Sequence, residues 1–273
     1  MSRARKNVAA VTCTFRRNPV LRQCLDALAA QSRPPDVAYV VDNGGEWHEP
    51  SGEYPFAVVV IRPGENLGPG GGFALGFEKA ILGGADYLWV MDDDIHPQPA
   101  CLENLLAEAE RQQTKSAFRI WPIVVDPDGS HNENPAWWGF LLPVPLVSVC
   151  GLPRADYAWW SEDTEYSFRL EQQHSVARIR VPAAIVHHRH ASRGGRSAIW
   201  RLYYETRNGL HFRWRIKRVN YWKGLRVIAW TLKKAIQPPP EEGRRMIPAR
   251  IAIVIKGIWH GISGRMGLRV KLG

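Results

Sequence analysis

Short apolar runs alternate with amphipathic stretches through the first 110 residues. VAAVTCTF (8–15), VAYVVDN (37–43), FAVVVIR (56–62) and YLWVMDDD (87–94) each begin nearly continuously apolar and stop at polar or turn residues. That pattern marks strands buried on both faces. Between the first two runs, Val20, Leu21, Cys24, Leu25 and Leu28 recur at helical spacing, and Pro34-Pro35 ends the segment. FALGFEKAILGG, after the Gly-rich turn GENLGPGGG, and PACLENLLAEAERQQ read as two further helices. The order β-α-β-β-α-β-α predicts an α/β fold with a mainly parallel, doubly wound sheet. Ligands of such sheets bind beyond the carboxyl ends of the strands. Thr14, Asp42 and the triplet Asp92-Asp93-Asp94 follow the first, second and fourth strands, so they converge there.

Residues 117–160 are rich in Pro and Trp and predict short strands and loops. SEDTEYSFRLEQQ (161–173) predicts a helix start with Ser161 as its cap. ARIRVPAAIVHHR (177–189) predicts a strand ending in histidines. From Ile199 the chain reads as helical and basic, broken by Pro238-Pro239-Pro240. A last helix follows, with an apolar stripe at Ile247, Ile251, Val254, Ile258 and Ile262.

Charge divides the chain. Residues 201–273 hold 17 Lys and Arg against 3 Asp and Glu, a net of +14, whereas residues 1–200 carry a net of −4. We expect a catalytic domain over 1–200 and a basic, aromatic helical region over 201–273. That region would meet an anionic surface or acceptor. Its aromatics and arginines interleave at helical spacing, which favours peripheral membrane contact over a merely solvated face. Cys13, Cys24, Cys101 and Cys150 show no CxxC spacing and read as reduced thiols. No secretory signal and no spanning segment is expected, which predicts a cytoplasmic protein peripheral on the inner face of the plasma membrane.

At an extended strand end, alternate side chains share a face, so Asp92 and Asp94 are expected together, with Asp93 opposite. Two carboxylates on one face suit Mg2+ or Mn2+, which can clamp a diphosphate; a solvated strand end is the alternative. The turn ENLGPGGGFALG lacks a dinucleotide fingerprint and the P-loop Lys. Glu162 and Asp163, opening a helix, are either dipole partners or, for Asp163, a general base. A histidine of IVHHRH could complete a ligand set.

The motifs VTCTFRR, VVDNGG, ENLGPGGGFALG, VMDDDI, WWSEDTEYSFR, PAAIVHH and YYETRN, in this order, resemble the family 2 inverting glycosyltransferases of GT-A fold. Within that group the resemblance is to bacterial galactofuranosyltransferases and rhamnosyltransferases of cell-wall glycan synthesis, and it covers about residues 7–210. It implies that Thr14 and Arg16 border the nucleotide, that Asp42 contacts the base, and that Asn66 contacts the nucleotide or its diphosphate. It implies Asp92, Asp94 and His187 as ligands of Mn2+ or Mg2+, with His188 the rival third ligand and Asp93 beside the donor sugar. Asp163 would be the catalytic base, and Trp137, Trp138 and Glu162 would line the acceptor.

The implied reaction is a single displacement from UDP-galactofuranose or dTDP-rhamnose to a hydroxyl of a lipid-linked or glycan acceptor, adding one or a few sugars. A nucleotidyltransferase would want a basic Gly-rich loop near the N-terminus, and VTCTFRRNP is a poor one. A nucleic-acid-binding protein would leave the acids at 92–94 and 162–163 unexplained, and no nucleic acid partner is expected.

Overall fold

The computed structural model describes residues 5–48, 54–112, 117–189, 198–240 and 242–272. They fall into two compact units. The first comprises 1–66, 72–153 and 166–191; the second comprises 67–71, 154–165 and 192–273. The second unit therefore draws two short upstream segments to the C-terminal region.

The first unit is built on an eight-stranded sheet of order β3-β2-β1-β4-β7-β6-β8-β5. Its strands are β1 (Val8–Thr14), β2 (Val37–Asp42), β3 (Ala57–Ile61), β4 (Tyr87–Met91), β5 (Ile95–Pro97), β6 (Phe118–Val125), β7 (Trp138–Pro143) and β8 (Ala177–His188). Strands β3, β2, β1 and β4 run parallel, as do β6 and β8, while β7 and β5 run antiparallel to their neighbours. The expected α/β, mainly parallel architecture is the observed one. Leu88, Trp89, Val90 and Met91 of β4 are wholly buried, which is why the run reads as continuously apolar.

Four helices complete this frame: α1 (Asn18–Ala29), α2 (Gly68–Leu82) from residue 72 onward, α3 (Cys101–Gln112) and α4 (Val144–Cys150). Helix α1 buries Leu21, Cys24, Leu25 and Leu28 of the predicted stripe, while Val20 is half-buried. Helix α2 presents two glycines to the sheet. A Cβ at Gly72 would lie 2.3 Å from Cys13 Sγ, and one at Gly76 would lie 2.6 Å from Val11 Cγ1. The glycine run therefore serves close helix–strand packing as well as the turn. Replacing Gly76 by Val is expected to cost about 2–3 kcal/mol of overpacking, read as a lowered denaturant midpoint at unchanged slope.

A bulge interrupts the β4–β7 ladder, where Val90 pairs with Phe140 and Met91 with Trp138. Gly139, at φ 81°, is the extra residue, and its carbonyl accepts Trp89 Nε1 at 2.9 Å. The bulge re-aims the side chains next to the aspartate triplet.

In the second unit, α6 (Ile199–Leu210), α7 (Tyr221–Ile236) and α8 (Ile247–Ser263) pack together. Gly257 and Gly261 of α8 let the α6 backbone approach. A Cβ at Gly261 would lie 2.7 Å from the Arg207 carbonyl. Ile251, Val254 and Ile258 of the expected stripe join a cluster with Leu202 and Ala235, while Ile262 is exposed. Helix α5 (Glu162–Phe168) begins in this unit.

Candidate functional site

In the first unit, polar residues collect where β1, β2 and β4 end. Thr14 and Asp42 are register partners. Strand β4 stops at Met91, and Ile95 N donates to the Asp92 carbonyl at 3.3 Å, so residues 92–95 form a turn. The alternating faces expected of an extended strand end therefore do not apply to the triplet. Asp93 and Asp94 are held by one guanidinium. Arg17 Nη1 donates to Asp93 Oδ1 at 2.8 Å, and Nη2 donates to Asp94 Oδ2 at 2.9 Å. Thr14 Oγ1 donates to Asp93 Oδ2 at 2.7 Å. Asp92 is half-buried, and its N–H donates to the Trp137 carbonyl at 2.7 Å.

Burial pushes the Asp93 carboxyl up to about 6, although Arg17 and the Thr14 hydroxyl favour its charged form. Burial disfavours the Arg17 charge, but the neighbouring aspartates more than offset this and raise its pKa. Sequence reasoning chose Arg16 and missed Arg17. The Arg16 side chain is exposed and meets Glu46 at 3.0 Å. Arg17 occupies the N-cap position of α1, where a short polar residue is usual. An Arg at that position, one strand end from an acidic triplet, was the available signal.

Asp42 is committed to its own loop. Its Oδ1 accepts Gly44 N and Gly45 N at 3.0 Å each, and Oδ2 accepts Trp47 N at 2.7 Å. The carboxylate thus shapes the turn that follows β2. Asn66 lies half-buried two residues before α2.

The two candidate histidines part company at the end of β8. His188 pairs with Ile95 and His187 with His96, and strand alternation sends their side chains to opposite faces. His188 Nε2 lies 3.8 Å from Asp94 Oδ2, and its Nδ1 lies 3.1 Å from Asp126 Oδ1. His187 Nε2 lies 3.1 Å from Gln98 Nε2, and burial with Arg189 nearby lowers its pKa. The imidazole beside Asp94 is therefore that of His188, not His187.

The two tryptophans, both buried, have different neighbours. Trp137 is buried in the core, stacked on Phe73 at 4.4 Å and tilted against Tyr166 at 5.7 Å. This corrects the expectation that both rings line an acceptor. Trp138 lies with its ring centroid 5.1 Å from that of His188, on the side of the aspartates.

Among the described residues, no three His, Cys, Asp or Glu side chains are gathered into a ready-made metal cage. The donors nevertheless suit a hard divalent ion that a diphosphate would help to coordinate. Asp94 and His188 converge without a hydrogen bond between them. Asp126 beside Nδ1 favours the tautomer that leaves the Nε2 lone pair facing Asp94, which is the usual carboxylate–histidine support of a ligand.

In the second unit, Glu162 and Asp163 open α5, with Glu162 buried. Thr164 donates to Asp163 Oδ1 from its backbone N–H and, at 3.0 Å, from its hydroxyl. Burial raises the Asp163 carboxyl to about 6, while both Thr164 bonds pull the other way. Such a group is charged at neutral pH yet basic enough to take a proton.

Residues 9–142 match the family model Glycosyl transferase family 2. Over 128 residues the chain is 42% identical to galactofuranosyltransferase GlfT1 of Mycobacterium tuberculosis (strain ATCC 25618 / H37Rv), covering 45% of this chain and 41% of that protein. Over 124 residues it is 38% identical to GlfT1 of Mycolicibacterium smegmatis (strain ATCC 700084 / mc(2)155), covering 44% and 40%. The chain thus spans about two fifths of the length of these relatives.

Among solved structures, the mannosyltransferase PcManGT of Pyrobaculum calidifontis, in complex with GDP-Man and Mn2+, matches at TM-score 0.56 and 15% identity, covering 93% of this chain and 88% of that one. GalNAc-T7 with UDP, GalNAc and Mn2+ matches at TM-score 0.59 and 13% identity, covering 97% and 59%. S. aureus TarS 1–349 with UDP matches at 0.54 and 12%, covering 95% and 91%. At these identities the likeness is one of fold, the GT-A fold.

Proposed function

We propose, from the match of residues 9–142 to glycosyl transferase family 2, that the protein transfers a sugar, with inversion, from a nucleoside-diphosphate donor to a hydroxyl of a lipid-linked or glycan acceptor. The carrying observation is the cluster at the strand ends: Thr14, Arg17, Asp93, Asp94 and His188, tied together at 2.7–3.8 Å. It supplies paired positive and negative charge where a diphosphate and its counter-ion would lie. Asp92, Asp94 and His188 would hold the divalent cation, Mn2+ or Mg2+, which when bound neutralises charge on the departing diphosphate. His188 replaces His187 in this assignment. Thr14 and Asp93 would border the donor, with Asp93 beside its sugar. Asp42 would set the shape of the base-binding turn, and Asn66 would reach the diphosphate. Asp163 would take the proton of the acceptor hydroxyl as that oxygen attacks the anomeric carbon. Trp138 and Glu162 would face the acceptor.

The relatives named galactofuranosyltransferase support UDP-galactofuranose as the first donor to try, with dTDP-rhamnose second. The test is a panel of nucleotide sugars incubated with Mn2+ and a glycan acceptor, read as nucleotide release and glycosylated product. Product from one of these two donors is expected. No thermal stabilisation and no turnover with any nucleotide sugar would refute the reading.

The second unit supports attachment to an anionic membrane face. No helix of the described residues is long and apolar enough to cross a membrane. Helix α7 instead leaves Trp222, Trp230 and Ile236 exposed beside Arg226 and Lys233, and α8 leaves Ile255, Trp259 and Ile262 exposed beside Lys256 and Arg265. Apolar groups flanked by cations are the pattern of interfacial helices. Deleting 238–273 would remove α8 from its packing on α6, so point changes are the cleaner test. The triple variant W222S/W230S/W259S is expected to lose about tenfold or more of its binding to vesicles containing one-third anionic lipid, while its melting temperature holds. Unchanged sedimentation with those vesicles would overturn the attachment.

A further inference from the structure

The motif YYETRN on α6 has no part in the scheme above, yet two of its wholly buried residues, Arg207 and Asn208, direct most of their hydrogen bonds to one loop. We infer that Arg207 and Asn208 clamp the backbone of residues 156–160 in a strained form, and that this clamp positions Asp163 at the start of α5. Both are positioning residues, and the inference rests on the glycosyltransferase reading for the role of Asp163.

The loop is unusual in its own geometry. Ala158, Trp160 and Ser161 all have positive φ, at 59°, 75° and 64°, and none is glycine. Ala158, with ψ −69°, centres a tight turn in which Trp159 N donates to the Tyr157 carbonyl at 2.7 Å. That is the rare γ-turn, disfavoured for any residue with a Cβ. Such a segment persists only where its surroundings hold it.

The surroundings supply that hold carbonyl by carbonyl. Asn208 Nδ2 fans across three acceptors: Tyr157 O at 2.8 Å, Trp159 O at 2.7 Å and Trp160 O at 2.8 Å. Arg207 Nη2 donates to Asp156 O at 3.0 Å and to Tyr157 O at 2.9 Å, and its Nη1 donates to Gly267 O. Arg207 Nε donates to Asn208 Oδ1 at 2.7 Å, which fixes the way the amide faces. The rings of Tyr203 and Tyr204 flank the guanidinium, 5.3 and 4.7 Å from its carbon. The remaining carbonyl, that of Ala158, accepts Gly70 N at 2.9 Å. Gly68 allows this approach, because a Cβ there would lie 2.2 Å from that oxygen. Every carbonyl from 156 to 160 thus has a donor. The next residue, Ser161, offers its carbonyl to Glu165 N at 2.9 Å and so starts α5, one residue before Glu162-Asp163.

The test pairs Asn208→Ala with a change that lowers the loop's own strain. Glycine adopts the γ-turn without a Cβ clash, so Ala158→Gly should restore part of what N208A loses. In N208A, peptides over 157–165 are expected to exchange amide hydrogens about tenfold faster, while those over α7 and α8 keep wild-type protection. Transfer kcat is expected to fall about 10–100-fold with the donor KM within about threefold, as displacement of a catalytic group predicts. The double variant A158G/N208A is expected to recover about fivefold or more of that loss. Arg207→Lys, which keeps the charge but not the fork, should follow N208A.

Wild-type protection over 157–165 in N208A, or no recovery in the double variant, would overturn the clamp. So would loss of protection spread evenly over α6, α7 and α8. If the wild-type protein turns over no nucleotide sugar, the functional reading fails on its own. The exchange measurement still decides whether the clamp exists.

Discussion

Asp163→Asn is expected to lower transfer by about 10²–10⁴-fold while leaving Mn2+-dependent nucleotide binding within about twofold. The carboxylate is assigned to the acceptor's proton alone, so donor contacts do not depend on it. The wild-type pH profile should carry the same signature. Burial holds the Asp163 carboxyl near 6, so the base form is lost as pH falls through about 6. The acid limb of kcat should lie there and become less steep in D163N, where Asp93, also raised to about 6, is the group left to titrate.

Stability should move the opposite way. The folded state raises this pKa above its ordinary value of 3.8, so it holds the proton more tightly than the unfolded chain does. Ionisation therefore opposes folding. The penalty is absent well below pH 3.8, where both states are protonated, grows as the pH rises from 3.8 to about 6, and is complete well above 6. D163N, which cannot ionise, should melt above wild type at pH 8, and the difference should shrink steadily as the pH falls towards 3.8. Retained transfer in D163N would remove Asp163 from the mechanism. Equal melting curves at pH 8 would mean that its carboxyl is not held near 6.

The residues that were legible in the sequence share a cause. Strands β1, β2 and β4 are buried on both faces, so each reads as an apolar run whatever its partners. The polar residue at which each run stops marks the carboxyl edge of the sheet. Thr14 and the aspartates could therefore be placed from local pattern alone. What failed depended on turns and register. The triplet reads as extended, but β4 ends at Met91, and a turn brings Asp93 and Asp94 to a single guanidinium. His187 and His188 are indistinguishable until the β5–β8 register fixes which face each takes. Trp137 and Trp138 are likewise adjacent in sequence and both are buried, but Trp137 precedes β7 and stacks on Phe73, whereas Trp138 opens β7 beside the bulge at Gly139 and lies against His188. The hold on the 156–160 carbonyls depends on α6, some fifty residues downstream, and no local pattern announces it.

The histidine register yields the sharpest contrast between neighbouring residues. His188→Ala is expected to cost about 10²-fold or more in transfer and to abolish the extra thermal stabilisation that Mn2+ gives in the presence of UDP. His187→Ala should stay within about threefold of wild type in both measurements, because its ring faces Gln98 rather than Asp94. Asp94→Ala should reproduce H188A, since those two groups converge on one point. Asp126→Asn should fall between, weakening Mn2+ about 10–100-fold, because Asp126 touches the site through Nδ1 of His188 and otherwise accepts from Asn132. A titration of the UDP-bound melting temperature against Mn2+ separates these cases, since a lost ligand removes the response and a lost support shifts its midpoint. The reverse result, with H187A losing the Mn2+ response and H188A keeping it, would restore His187 as the ligand. It would also mean that the end of β8 lies one residue out of the register described here.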